Sequence, residues 1–454
     1  MSGEGGRRVG ALALAGVLVA ASLVTVYVVW QATLPAPTQL SCPVTSAPSA
    51  ESPIQHLFVI VKENHAFENY FGDRPGVIGF PPNGSLLSAF GSNATIHPFA
   101  LNAVSTPDLP HDHGSALIDL DHGKNDQFVA QARALGFADP SAAAGYYTAA
   151  EIPQYYAYAS NYSLDDMFFT GILGPTEPNR LFDLAATSDG VSNDTYVPNG
   201  QLNSTTILNE LSDHGVRWAY DYTGDPQNLV PFEFESVWND SCVNRQVDPM
   251  SDFASQLASP LAPQVTIIDP SHDEGGFSEH PADNVTLGTD WTTTVVNAIF
   301  SSPLEPTSAV VIFFDEAGGF WDPIVPPSMG PLGDGFRVPF LVLSPYTPKG
   351  LLLHETLDPA SVLHFIDENW GLPALNDRVA SAPSLGGFFD FNSTPRPPLL
   401  LPTTVSLAAA SLSIPWEGTS ASAPPGSGTT PDLTPPGGAG SPLWVARSES
   451  EASV

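Results

Sequence analysis

The chain has 454 residues, 48 acidic against 14 basic side chains and a formal net charge of −34, yet 42% of its residues are hydrophobic and only 14% charged. That much apolar material excludes a disordered acidic polymer, and the excess of negative charge argues against a nucleic-acid partner held by general electrostatic attraction. An anionic substrate would need a local cation. With three lysines in the chain (Lys62, Lys124 and Lys349), that cation is either a bound metal ion or a rare arginine such as Arg180. The acidic surface as a whole is also what adaptation to acid or salt produces.

In chain order, Val9 to Trp30 is an uninterrupted run of apolar and small residues behind Arg7 and Arg8. About 20 such residues span a bilayer, and the segment after Trp30 is a poor cleavage site. The expectation is therefore an uncleaved, single-pass signal anchor over 9–30, with 1–8 cytoplasmic and everything beyond extracellular. A Pro/Ser/Thr/Ala-rich linker over 31–50 follows. Eight Asn-x-Ser/Thr sequons, starting at Asn83, Asn93, Asn161, Asn193, Asn203, Asn239, Asn284 and Asn392, are possible glycan sites, and Cys42 and Cys242 could pair in an oxidising compartment.

Residues 51–395 read as one folded domain. Ile54 to Val61, Gln264 to Ile268, Ala309 to Phe314 and Val338 to Ser344 are short apolar runs without strict alternation, as expected of parallel strands covered on both faces. Helical patterns fall between and after them, among them Thr205 to His214, Trp291 to Ser301 and Asp358 to Trp370. This is the order of an α/β sandwich. Three of the runs end in acids: Glu63-Asn64 after the first, Asp269 after the second, Asp315-Glu316 after the third. Ligands of parallel α/β sheets bind beyond the carboxyl ends of the strands, and hard oxygen donors gathered there suit a divalent metal. Residues 396–454, rich in Pro, Gly and Ser, are expected to be a disordered tail.

The segment Gly174-Pro175-Thr176-Glu177-Pro178-Asn179-Arg180 places a hydroxyl between two prolines and an arginine four positions after it. The frame is similar to the sulfatase signature Cys/Ser-x-Pro-x-Arg, but threonine cannot become the formylglycine that sulfate ester cleavage needs. A threonine hydroxyl can attack phosphorus directly when a metal lowers its pKa. With it go IQHLFVIVKENHAFENYFG (54–72), PHDHGSALIDLDHGKNDQF (110–128), SEHPADN (278–284), VVIFFDEAGGFWD (310–322) and DGFRVPFLVLSPY (334–346). In this order the blocks resemble the phosphoesterase family of nonhaemolytic phospholipase C and acid phosphatase, over about residues 54–391.

The resemblance implies an alkaline-phosphatase-like α/β/α sandwich with a mostly parallel central sheet and a hydrolase cleaving phosphate esters. It implies Thr176 as nucleophile, with His111 and His280 as phosphate contacts or proton donors. His113 competes with His111 for that role. Glu63, Asn64, Asp315 and Glu316 are the implied ligands of a divalent cation of unassigned identity, and Asn64, Asn179 and Arg180 the implied phosphate or loop contacts. Pro323 stands where many relatives carry a histidine, and His65 where an arginine is usual. Phospholipid and small phosphomonoester remain alternative substrates, and a catalytically silent surface glycoprotein is the competing reading.

Overall fold

The structure is a computed structural model that describes residues 47–195, 197–224, 226, 229–270 and 276–411. The segment Val9 to Trp30, Cys42 and everything after residue 411 lie outside these residues. Among the described residues no helix is long and apolar enough to cross a membrane.

The apolar runs form the middle of an eight-stranded sheet. Its strands in chain order are β1 (His56–Lys62), β2 (Ser163–Asp165), β3 (Trp218–Tyr222), β4 (Val247–Pro249), β5 (Val265–Asp269), β6 (Ser308–Phe314), β7 (Phe340–Leu343) and β8 (Leu351–Leu353). In space they lie in the order β8-β2-β7-β6-β1-β5-β3-β4. All neighbours run parallel except at β7, which is antiparallel to both β6 and β2. The Val338 to Ser344 run is therefore a strand, but it does not share the direction of the others. A run buried on both faces carries no signal for direction.

The helices used below are α1 (Phe67–Phe71), α2 (His113–Leu120), α3 (Pro153–Asn161), α4 (Thr176–Ala185), α5 (Ile207–Asp213), α6 (Val285–Phe300), α7 (Pro359–Trp370) and α8 (Leu407–Ala410). They cover both faces of the sheet, and the strand period of two decides which residue meets which helix. On one face Val59, Val61, Ile267 and Phe313 meet Asp183 and Leu184 of α4 and Val362, Leu363 and Ile366 of α7 around a small internal void. On the other, Phe314 packs edge-on against Tyr70 of α1 and Tyr155 of α3, and Lys62 lies 4.8 Å from the ring of Trp291 in α6. The expected α/β sandwich is thus present, with a mostly parallel sheet at its centre. Burying a large apolar side chain of this layer contributes about 1.5–3 kcal/mol.

The expected tail boundary moves. Residues 396–411 are not a loose extension: Leu399, Leu401, Val405 and Leu407 pack on the core, and Ala410 is fully buried. Polar side chains of α6 meet the segment's backbone, as buried backbone groups require. Asp290 accepts from the amides of Thr404 and Val405 at 2.7 and 2.9 Å, Asn297 bonds both polar backbone atoms of Leu401, and Trp291 Nε1 donates to Ala410 O at 3.0 Å. Pro402 prevented a periodic pattern, so composition alone suggested a tail. Cys242, a possible disulfide partner by sequence, is not a free thiol.

Candidate active site

The parallel register sets the acids side by side. Lys62 of β1 pairs with Phe314 of β6, so Glu63 and Asn64 leave one strand where Asp315 and Glu316 leave the next, and the Asp315 amide bonds Lys62 O at 3.0 Å. Asp269 ends β5 on the other side of β1. Asn64 has a positive φ of 60°. Gly318 (φ +64°) packs so closely there that a Cβ would lie 2.1 Å from Asn64 O, so only glycine lets the two strand ends touch.

Thr176 is the first residue of α4, whose amphipathic sequence buries Leu181, Phe182, Leu184 and Ala185. The preceding Pro175 has no side-chain cap to offer, so the first-turn amides take partners from elsewhere. Thr176 Oγ1 donates to Asn64 Oδ1 at 3.2 Å, which brings the hydroxyl to the strand-end acids. Asp194 takes one first-turn amide, Glu177 N, at 2.8 Å. Neither Asp194 nor Asp108 was singled out by sequence, since no motif marks either one.

Asn179 and Arg180, expected as phosphate or loop contacts, both bond within the protein. Asn179 is fully buried and pins the loop before the helix, accepting from Ile172 N at 2.9 Å and donating to the carbonyls of Gly174 and Pro175 at 3.0 and 2.9 Å. Arg180 has five N–H donors, and all are engaged: by Asp315 Oδ2 and Asp269 Oδ1 at 3.1 Å, by Glu63 Oε1 and Val61 O at 3.4 Å, and by Lys62 O at 3.3 Å. Its guanidinium is a buried counter-charge beneath the site with no donor left for phosphate. Asp269, noticed in the sequence only as a strand end, completes this group and also accepts from the Tyr220 hydroxyl.

The histidines approach from the loops. His111 Nδ1 donates to Leu109 O at 2.6 Å, leaving Nε2 at 4.0 Å from Glu316 Oε1. The His111 and His280 rings lie 6.3 Å apart, and His280 Nδ1 donates to Pro281 O. His113 instead bonds Leu173 O, on the loop before Thr176. Asp322 is paired with buried Arg337 at 2.8 Å.

Electrostatics follow from burial and crowding. Burial pushes the Glu63 carboxyl up to about 8; Arg180 opposes the rise and Asp315 adds to it. Glu316 is held well above the usual carboxylate range, first by burial and then by Asp315. Burial works to lower His280, but the carboxylates of Glu63 and Asp108 outweigh it and leave the imidazole above its ordinary value. The acids thus outnumber the one arginine, and a further positive charge is favoured here. Among the described residues, Glu316 Oε1 is buried without a hydrogen-bond partner, as is Asn64 Nδ2. An orphaned carboxylate oxygen beside Asp315 suits a hard divalent cation. Among the described residues, the group that brings three donor atoms within 4.8 Å of one another is Asp108, His111 and His280, not the Glu63, Asp315 and Glu316 expected from the sequence.

The sequence matches the Phosphoesterase family over residues 54–373, which contain all of these groups. The chain belongs to the Phosphoesterase family. It is accordingly a phosphoric ester hydrolase. It is 28% identical over 394 residues to Phospholipase C A of Mycobacterium tuberculosis, covering 71% of this chain and 74% of that protein. To Non-hemolytic phospholipase C of Pseudomonas aeruginosa it is 25% identical, covering 76% of this chain and 59% of the relative. Non-specific phospholipase C3 of Arabidopsis thaliana is 24% identical, with 73% and 70% covered. Among solved structures, the lipoteichoic acid synthase LtaP from Listeria monocytogenes is similar with a TM-score of 0.37 and 9% identity, covering 75% of this chain and 80% of the other.

Proposed function

We propose that this phosphoesterase works through a covalent phosphothreonine at Thr176. The observation that carries this reading is the placement of the Thr176 hydroxyl at the N-terminus of α4, 3.2 Å from Asn64 and facing the strand-end acids. Oγ attacks phosphorus as the bond to the leaving oxygen breaks; water then attacks the phosphothreonine and frees the phosphate product and the threonine hydroxyl. The helix N-terminus stabilises the negative charge on the phosphoryl oxygens. His280, whose imidazole Glu63 and Asp108 hold above its ordinary value, gives its proton to the leaving oxygen, and His111 contacts the phosphate from the same side. Glu63, Asn64, Asp315 and Glu316 would hold a divalent cation, which when bound neutralises phosphate charge and lowers the pKa of the Thr176 hydroxyl. Arg180 keeps Glu63 and Asp315 in place from below.

The relatives named phospholipase C favour a phospholipid cleaved on the glycerol side of phosphorus, with small phosphomonoesters as the alternative. The apolar segment Val9 to Trp30 would hold the domain on the outer side of a membrane, and a disulfide-bonded Cys242 suits an oxidising compartment.

Thr176→Val keeps the volume and removes the hydroxyl. With phosphatidylcholine and p-nitrophenyl phosphate as substrates, turnover should fall by about 10³-fold or more while circular dichroism is unchanged. Unchanged turnover removes Thr176 from the mechanism.

A further inference from the structure

The loop that carries His280 is fastened from its neighbour Glu279. Glu279 is fully buried, and its φ of 74° lies in the left-handed region, which a glutamate keeps only where its surroundings over-determine it. The surroundings do so. Lys62, the last residue of β1 and itself fully buried, places Nζ 3.1 Å from Glu279 Oε1 and donates to Phe277 O. The Tyr155 hydroxyl donates to Oε1 at 2.7 Å and the Tyr70 hydroxyl to Oε2 at 2.6 Å. His65 Nε2 donates to the Glu279 carbonyl at 2.8 Å. In α6, Gly288 leaves the room this side chain needs: a Cβ there would lie 2.1 Å from Glu279 Cγ.

These partners come from β1, the turn after it, α1 and α3, so the loop is tied to the same strand end that presents Glu63 and Asn64. One backbone bond runs in parallel with the ion pair, and a second bond braces the loop internally. Glu63 N donates to Ser278 O at 3.0 Å, and His280 N donates to Ser278 Oγ at 3.2 Å. A buried ion pair adds little stability over apolar side chains of the same volume, because desolvation offsets the attraction. What it supplies is a fixed geometry, since misplacing either charge leaves the other buried and unpaired.

We propose that Glu279, clamped by Lys62, Tyr70 and Tyr155, is a positioning residue that holds His280 against the leaving oxygen of the phosphate ester. The inference rests on the reading of His280 as proton donor. It gives His65, which takes the place of a usual arginine, a role as the backbone anchor of the same residue.

The test uses the full-length protein and two phosphomonoesters that differ in their need for a proton: methyl phosphate, whose alkoxide leaves poorly, and p-nitrophenyl phosphate, whose phenolate leaves without help. In Glu279→Gln, kcat on methyl phosphate should fall by about 10²-fold and on p-nitrophenyl phosphate by less than about 5-fold, because a general acid contributes about 10²–10⁴ only where the leaving group needs it. His280→Ala should give the same split, larger on methyl phosphate. A His280→Ala enzyme with the split beside a Glu279→Gln enzyme that loses both activities equally, or neither, overturns the inference alone. A His280→Ala enzyme without the split overturns the assignment of His280 and the inference with it. If Glu279→Gln does not fold, Tyr70→Phe/Tyr155→Phe decides: a selective loss on methyl phosphate supports the proposal, and equal rates on the two esters, relative to the unaltered protein, overturn it.

Discussion

Two buried arginines anchor the molecule, and their surroundings differ in what they border. Arg337 faces Glu68 and Asp322 and also donates to the carbonyls of Ile78 and Asp166, with its guanidinium 5.3 Å from the Phe67 ring. Arg180 faces Glu63, Asp269 and Asp315, and Glu316 stands beside Asp315 with one oxygen unpartnered. The first group joins a loop to the edge of the site's scaffold. Each has more acids than its single guanidinium can neutralise, and among the described residues each leaves a carboxylate oxygen unpartnered, Glu68 Oε2 in the first and Glu316 Oε1 in the second; the second borders the Thr176 hydroxyl through Asn64. Excess carboxylate in a buried cluster is destabilising unless protons or a cation offset it, and in the second group that excess lies beside a hydroxyl.

Removing the excess should have the largest effect. Asp315→Asn/Glu316→Gln is expected to lower kcat/KM by about 10⁴-fold or more and to leave the protein without bound metal by elemental analysis, since these oxygens would hold the cation. Full activity in protein shown to be free of metal would contradict the proposed role of a cation. The next effect separates the two arginines. Arg180→Met and Arg337→Met should each cost about 3–5 kcal/mol in denaturant unfolding, because each strands buried carboxylates. At a temperature where both variants remain folded, Arg180→Met should also lose about 10²-fold in kcat through displaced strand-end groups, whereas Arg337→Met should keep most of it. Equal losses of activity would mean that Arg180 has no special tie to the site.

The smallest effect is expected at the C-terminal segment. Ending the chain after Pro395 removes Leu399, Leu401, Val405 and Ala410 from the surface of α6 and leaves Asp290 and Asn297 without their backbone partners. A loss of about 3 kcal/mol in unfolding free energy, with turnover unchanged, is expected. An unchanged unfolding midpoint would show that the segment does not dock.

Much of the sheet was legible because β1, β5 and β6 are apolar runs with acids at their carboxyl ends, and those ends lie together only in a parallel arrangement. Helix α7 was legible almost to the residue, since Asp358 and Pro359 start it and Gly371 ends it in the left-handed conformation. The direction of β7 was not, because no side-chain pattern distinguishes the two senses of a fully buried strand. Thr176 stood out through its proline frame. The roles of Asn179 and Arg180 did not, because a guanidinium that binds phosphate and one that binds carboxylates look the same in a motif. Lys62 and Glu279 are far apart in sequence, and only the fold shows that they meet.

The central claim is that Thr176 becomes phosphorylated during turnover. The direct measurement is to mix the protein with p-nitrophenyl phosphate, quench in acid within the first turnovers, digest, and search the peptides by mass spectrometry. The account predicts a phosphate on the peptide containing Thr176, absent from Thr176→Val treated in the same way. Steady hydrolysis with no phosphorylated Thr176 peptide, and with burst-free product release, would contradict it.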